Sequence, residues 1–254
     1  MSGHSKWANI KHRKGAKDAK RAKIFTKLAK EIENHASRGS DPSMNPALKL
    51  AIDKAKISGV TNDLIDRAIK RGSGASKDLA IMDESIYEGY APGGIALIIE
   101  SLTDNKNRTA ANIRAILSKN GGSLGATGSV MFNFEHKGHC LVSLNSKDPD
   151  EVTLQLIDFG ADNISTQDDA LGDTLDVTTS RENLISFVNQ ATQAGFIVQN
   201  AELTYIPKET ITINDPDTAQ KVMDLIEILE DDDDVIRISS NMEVSDEILS
   251  KLAS

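Results

Sequence analysis

Ten lysines and arginines stand against a single acid, Asp18, in the first thirty residues, MSGHSKWANIKHRKGAKDAKRAKIFTKLAK. Cations this dense, with so little counter-charge between them, suit the capture of phosphates. Each contact with a nucleic-acid backbone releases a condensed counterion, and the gain grows with the number of contacts. The imbalance extends further: residues 1–77 hold 18 basic and 7 acidic side chains and the remainder 11 and 31, so a chain of net charge −9 is a basic head on an acidic body. Such asymmetry points to nucleic acid or an anionic membrane as partner. The candidate nucleic-acid-binding residues are Lys6, Trp7, Lys11, His12, Arg13, Lys14, Lys17, Lys20, Arg21, Lys23, Lys27 and Lys30. Trp7 suits either stacking on a base or anchoring the tail in a helical core.

Other residues invite other chemistries. His4 and His12 sit among lysines that repel a metal cation. His136 and His139 flank Lys137-Gly138 with Cys140 adjacent, but no fourth ligand accompanies them, so no metal is expected. They are expected instead as a cross-strand pair at the end of a hairpin. The glycine cluster from Gly121 to Gly128 ends a helix and enters a strand, the reverse of a phosphate-binding loop, and reads as an extended turn whose glycines permit positive φ or close backbone approach. The acidic run Glu230, Asp231, Asp232, Asp233 and Asp234 lacks the glycine and terminal glutamate of a calcium loop. It is expected as a solvated helix-to-strand loop; the sharper alternative is that these acids, with the rest of the acidic body, repel nucleic acid and confine it to the head. Asp104 to Thr109 reads as a turn and helix cap, with Arg108 able to add one phosphate contact. No nucleophile elbow, zinc-protease pair or kinase set occurs; no enzyme activity and no cofactor are expected.

The elements that must position the cations come next. Ala22, Phe25, Leu28, Ala29, Ile32 and Ala36 recur at helical spacing from about residue 16, and Lys20, Lys23, Lys27 and Lys30 then fall within roughly 80° of one another on the other side. Asn45-Pro46 caps a second helix striped by Leu48, Ala51, Ile52 and Ala55; Thr61 or Asn62 caps a third that Gly72 ends. Gly72 to Lys77 reads as a linker. Strands follow at Ile86 to Tyr90 and Ile95 to Leu102, a helix at about Arg108 to Lys119, and strands at Val130 to Glu135 and Cys140 to Leu144 around a Lys137-Gly138 turn. From Cys140 to Ile206 the order is βαββαβ, the ferredoxin-like plan. The strand Thr210 to Ile213, the helix Asp217 to Leu229, the strand Val235 to Ile238 and a helix from Ser245 are expected to complete the sheet begun at Ser85.

The expected fold class is therefore α+β, with a basic three-helix domain over 1–79, a central domain over 80–136 plus 207–254, and a ferredoxin-like domain over 137–206 inserted into it. Hydrophobic content of 39% fits a globular chain, and 4% aromatics suggest several small aliphatic cores. One cysteine rules out an intrachain disulfide and fits a reducing compartment. No membrane span or secretory segment is apparent, so a cytoplasmic protein is expected.

Three stretches carry a resemblance. GHSKWANIKHRKGAKDAKRAKIF near the start, EGYAPGGIALIIESLTDNKNRT at Glu88 to Thr109 and KNGGSLGATGSVMF at Lys119 to Phe132 resemble, in order, the motifs of the YebC/PmpR family of transcriptional regulators. The resemblance implies the same three-domain layout and a DNA-binding transcriptional regulator. It also implies an alternative, because mitochondrial relatives are regarded as translational activators and bacterial ones are linked to relief of ribosomes stalled at proline-rich sequences. Under that alternative the partner is ribosomal RNA.

Overall fold

A computed structural model of the chain describes residues 17–75, 82–144, 148–166, 174–245 and 248, with side chains in the first helix from Arg21 onward. Helix α1 (Lys17–Ala36) buries Leu28, Ile32 and Ala36 against α2 (Pro46–Ile57) and α3 (Asn62–Lys70). Its partners supply Leu48, Ala51, Ile52 and Ala55, the stripe expected of α2, with Ile65 and Ala68 of α3, and Val60 closes this first core. Ala22 stays exposed. The turn into α2 is built by Asn45: its Oδ1 accepts from Leu48 N–H at 3.1 Å, Pro46 takes the first helical position, and its Nδ2 donates to the carbonyls of His35 and Gly39. Past α3 the chain makes a π-helical turn, Arg71–Ala75, where a linker was expected to begin; 76–81 lie outside the described residues.

The second core belongs to an antiparallel sheet of order β3-β1-β2-β9, from β1 (Asp83–Tyr90), β2 (Ala96–Thr103), β3 (Ser123–Leu124) and β9 (Val235–Ser240). Helices α4 (Lys106–Lys119) and α7 (Pro216–Glu230) cover one face, burying Leu97, Ile99, Ile113, Leu117, Val222 and Ile226. Strand β2 is apolar along almost its whole length because its other face is covered too: Ala96 and Ile98 meet Val130 and Phe134. The Val235 strand does join this sheet. The Thr210 to Ile213 strand does not. As β8 (Ile211–Ile213) it pairs in parallel with β10 (Met242–Val244), because the edge beside β2 is already filled by β9. Of the helix expected from Ser245, Ser245 and Ile248 are described: Ser245 is exposed and not helical, while Ile248 is helical and buried in this core.

The third core underlies β4 (Phe134–Ser143), α5 (Pro149–Asp158), β5 (Ala161–Thr166), β6 (Thr174–Ser180), α6 (Leu184–Gln193) and β7 (Ile197–Pro207). Its sheet order, β5-β6-β4-β7, is the ferredoxin-like arrangement. The β4–β7 ladder runs from Phe134, opposite Pro207, to Ser143, opposite Ile197, which is wider than the 137–206 expected. The chain is thus α+β, with a helical head, a central sheet and a ferredoxin-like unit interrupting it.

One expectation fails here for a definite reason. Lys137-Gly138 is not a turn; β4 passes straight through it. Gly138 lies directly beneath the start of α6: a Cβ there would sit 2.4 Å from Thr179 Oγ1 and 2.8 Å from Leu184 Cβ. The glycine serves packing between layers. Gly138→Ala is expected to destabilise by about 1–3 kcal/mol through overpacking, read as a lower urea midpoint at unchanged slope.

Candidate nucleic-acid interface

Lys6, Trp7, Lys11, His12, Arg13 and Lys14 lie outside the described residues, as do the side chains of Lys17 and Lys20. Arg21 lays its guanidinium over the Phe25 ring, 5.2 Å from its centroid. The rest of the row is not an open solvated face. Lys23, Lys27 and Lys30 cross the end of α7, where the acidic run begins. Lys23 Nζ donates to the Asp231 carbonyl at 3.3 Å and lies 3.5 Å from its carboxylate. Lys27 Nζ donates to the Glu230 carbonyl. Lys30 Nζ donates to the Asp233 carbonyl at 2.9 Å and lies 3.5 Å from Asp234 Oδ1.

Helix physics explains the contacts at Glu230, the last residue of α7, and at its cap Asp231, whereas the Asp233 carbonyl belongs to the turn beyond. The last carbonyls of a helix have no intrahelical donor and carry the negative end of the macrodipole, so ammonium groups satisfy both at once. The acidic run therefore holds the cationic face of the head. Burial lowers the Lys27 pKa, with the acids Glu230, Asp232, Asp233 and Asp231 opposing the shift.

Asp234 anchors the other side. Its Oδ2 accepts from Arg108 Nη2 and Thr109 Oγ1, both at 2.9 Å, and from Thr103 Oγ1 at 3.2 Å. Burial pushes its carboxyl up, but bonds from Arg108 and Thr109, with Lys30 nearby, outweigh it and leave the pKa below the ordinary aspartate value. Arg108 also holds Asp104 at 2.7 Å, so its half-exposed guanidinium, considered for a phosphate contact, is paired with two carboxylates of its own chain. Asn105 caps α4 as expected, accepting from Arg108 N–H.

A second joint between head and body escaped the sequence reading. Arg237 on β9 donates to the Leu203 carbonyl at 2.6 Å and to Glu202 Oε2 at 2.8 Å, with Glu100 Oε2 at 3.4 Å. Lys54 of α2 reaches the same Glu202 oxygen at 3.1 Å and Glu31 of α1 at 3.5 Å. Side chains from the head, the central sheet and the ferredoxin-like unit thus share one charge cluster. Its signal in the sequence was a lone charge in each of three apolar strands, ALIIESLT, VIRISS and AELTYI.

His136 and His139 do not form a cross-strand pair. Three apart on one strand, they face opposite sides of the sheet. His136 stacks on Tyr205 with centroids 4.5 Å apart, and His139 Nε2 lies 3.1 Å from Asp176 Oδ1. Cys140 is buried, which pushes its thiol up to about 12. Among the described residues no group of three or more His, Cys, Asp or Glu could hold a metal ion.

The glycine cluster wraps a buried carboxylate. Glu88 accepts from the N–H groups of Gly128 at 2.5 Å, Val130 at 2.7 Å and Met131 at 2.8 Å. Gly121 and Gly128 have positive φ, and Gly122 lies where a Cβ would fall 2.5 Å from the Tyr90 carbonyl. Both uses of glycine expected there are present. No helix among the described residues is long and apolar enough to cross a membrane.

Residues 5–75 match the family model described as the TACO1/YebC protein N-terminal domain, and residues 82–242 match the TACO1/YebC second and third domain. The chain is 47% identical over 253 residues to the transcriptional regulatory protein PmpR of Pseudomonas aeruginosa, covering 99% of this chain and 100% of that one. It is 43% identical over 255 residues to a protein of Halothermothrix orenii named a probable transcriptional regulatory protein, covering 99% of each. A crystal structure of a conserved hypothetical protein from Aquifex aeolicus superposes with a TM-score of 0.82 at 37% identity, covering 91% of this chain and 94% of the other. With both family models matched and relatives aligned over nearly its whole length, the chain belongs to the TACO1/YebC family, the YebC/PmpR family that its three motifs resemble.

Proposed function

We propose that this protein is a non-enzymatic regulator that binds nucleic acid through its basic head, acting as a DNA-binding transcriptional regulator in the cytoplasm. Relatives named as transcriptional regulators support the regulatory role. The observation that carries the nucleic-acid reading is the lysine row itself. At helical spacing, Lys23, Lys27 and Lys30 each hold an oxygen of one acidic turn, and a row of ammonium groups so spaced suits the oxygens of a phosphate backbone. Lys20, Arg21 and the cations from Lys6 to Lys17 extend the same charge.

Replacing Lys20, Lys23, Lys27 and Lys30 together with Gln tests this. Gln keeps a helix propensity close to that of Lys, so the head stays helical by circular dichroism. If each lysine neutralises one phosphate of duplex DNA, the slope of log affinity against log salt falls by about 3.6, at about 0.9 per contact. Loss should be equal for unrelated sequences, since phosphate contacts carry no base information. An unchanged slope in the folded variant would move the binding surface to the tail cations. The alternative, a ribosome-associated translation factor acting at stalled, proline-rich sequences, shares this surface with an RNA partner. On single-stranded RNA the same variant lowers the slope by about 2.8, so comparing affinities and slopes on the two polymers separates the readings.

A further inference from the structure

The lysine row that the nucleic-acid reading needs is already occupied. Three successive ammonium groups of α1 sit on the carbonyls of Glu230, Asp231 and Asp233, more than 200 residues away in the chain. We infer that the turn from Glu230 to Asp234 is an internal competitor for phosphates, which latches the basic face of the head onto the body until a polyanion displaces it. The inference rests on the nucleic-acid reading for the identity of the displacing ligand; the latch itself stands on the geometry.

Three observations carry it. The acidic side is pre-organised: Asp234 is fixed by Thr103, Thr109 and Arg108, and Asp234 N–H donates to Asp232 Oδ1 at 2.9 Å, so the turn presents its oxygens without help from the head. The contact is graded along the row: the side chains of Lys23 and Asp231 are 46% and 51% exposed, so this end is open to competition and to salt, while Lys30 at the other end is 23% exposed. Finally, a phosphate backbone cannot share the row with the turn. Reaching Lys27 or Lys30 would bring phosphates against the carboxylates of Asp231, Asp232 and Asp233, and the like-charge repulsion favours separating α1 from the turn over binding on top of it. The partly buried joint of Lys54 with Glu202 is made from α2 and touches α1 at Glu31, outside the lysine row, so it can hold the head to the body while the latch opens.

A zero-length carbodiimide cross-link reads the latch directly in the full chain. The reagent couples the Lys23 amine to the Asp231 carboxyl as an amide, taking up the lost water as its urea, and mass spectrometry measures the joined peptides. We expect the Lys23–Asp231 link in the free protein and a loss of at least several-fold when a short duplex DNA or single-stranded RNA saturates it, with saturation followed independently by fluorescence anisotropy. A link that stays at full yield while anisotropy reports saturation overturns the latch and leaves the nucleic-acid reading standing. No binding of either polymer overturns the reading itself and the competitor role with it. The variant Asp231→Asn with Asp232→Asn and Asp233→Asn, which leaves the Asp234 anchor intact, should bind nucleic acid about tenfold tighter at low salt. That gain should vanish when Lys23, Lys27 and Lys30 are all Gln. A gain that persists without the lysines would show general repulsion and no latch.

Discussion

Replacing Arg237 with alanine is expected to lower the unfolding free energy by about 3–5 kcal/mol, the cost of removing one partner from a buried ion cluster. Its guanidinium serves the Leu203 carbonyl, Glu202 and Glu100 together, at the seam between β9, β2 and β7. Burial raises the carboxyl of Glu202, but Arg237 first and Lys54 second outweigh it and hold the pKa well below the ordinary glutamate value. Glu100 stays raised by burial even though Arg237 opposes the shift. Without Arg237, Glu202 keeps Lys54 and Glu100 keeps no guanidinium, so both carboxyls move upward. The sign follows by linkage: a depressed carboxylate contributes stability above its unfolded pKa and loses it as pH falls through the folded one. The variant has lost that contribution and also carries an uncompensated carboxylate that protonation relieves. Its deficit should therefore be largest near neutral pH and shrink as pH falls into the carboxylate range. Urea unfolding of both proteins across that range checks this; a deficit independent of pH would show that lost packing, and not charge, was responsible.

Replacing Glu88 with alanine is expected to cost about 2–4 kcal/mol, since it strips the acceptor from three backbone N–H groups, of which that of Val130 is buried. Burial pushes the Glu88 carboxyl up, but the bonds from Gly128, Val130 and Met131 outweigh it and its pKa lies below the ordinary value. The stability it contributes is present above the unfolded glutamate pKa and is lost as pH falls through the lower folded pKa. Glu88→Gln keeps the shape and one acceptor oxygen but points an amide N–H₂ at a donor, so about half the loss should remain. The gap between wild type and Glu88→Gln in urea unfolding should close with acid. A gap that stays constant down to acid pH would mean that the carboxylate charge is not what braces the loop.

Local pattern determined a great deal of this protein. Asn45-Pro46 capped α2 and the stripe from Leu48 to Ala55 was buried, because a cap and a 3.6-residue period are set within one element. The βαββαβ order emerged from alternating periods in the same way, and the basic head was visible as plain composition. Tertiary structure decided what meets what. Gly138 looked like a turn because glycine is as much at home in a turn as beneath a helix, and only the approach of Leu184 distinguishes the two. The lysine row and the acidic run were both legible, yet they read as one surface for phosphates and another that repels them. Their meeting depends on where α7 ends relative to α1, which no period within either helix encodes. Arg237, Glu202 and Glu100 were likewise lone charges in three separate strands, and Lys54 one charge among several on α2, until packing brought them into one cluster, since a strand's period shows which side a residue faces and not which partner waits there.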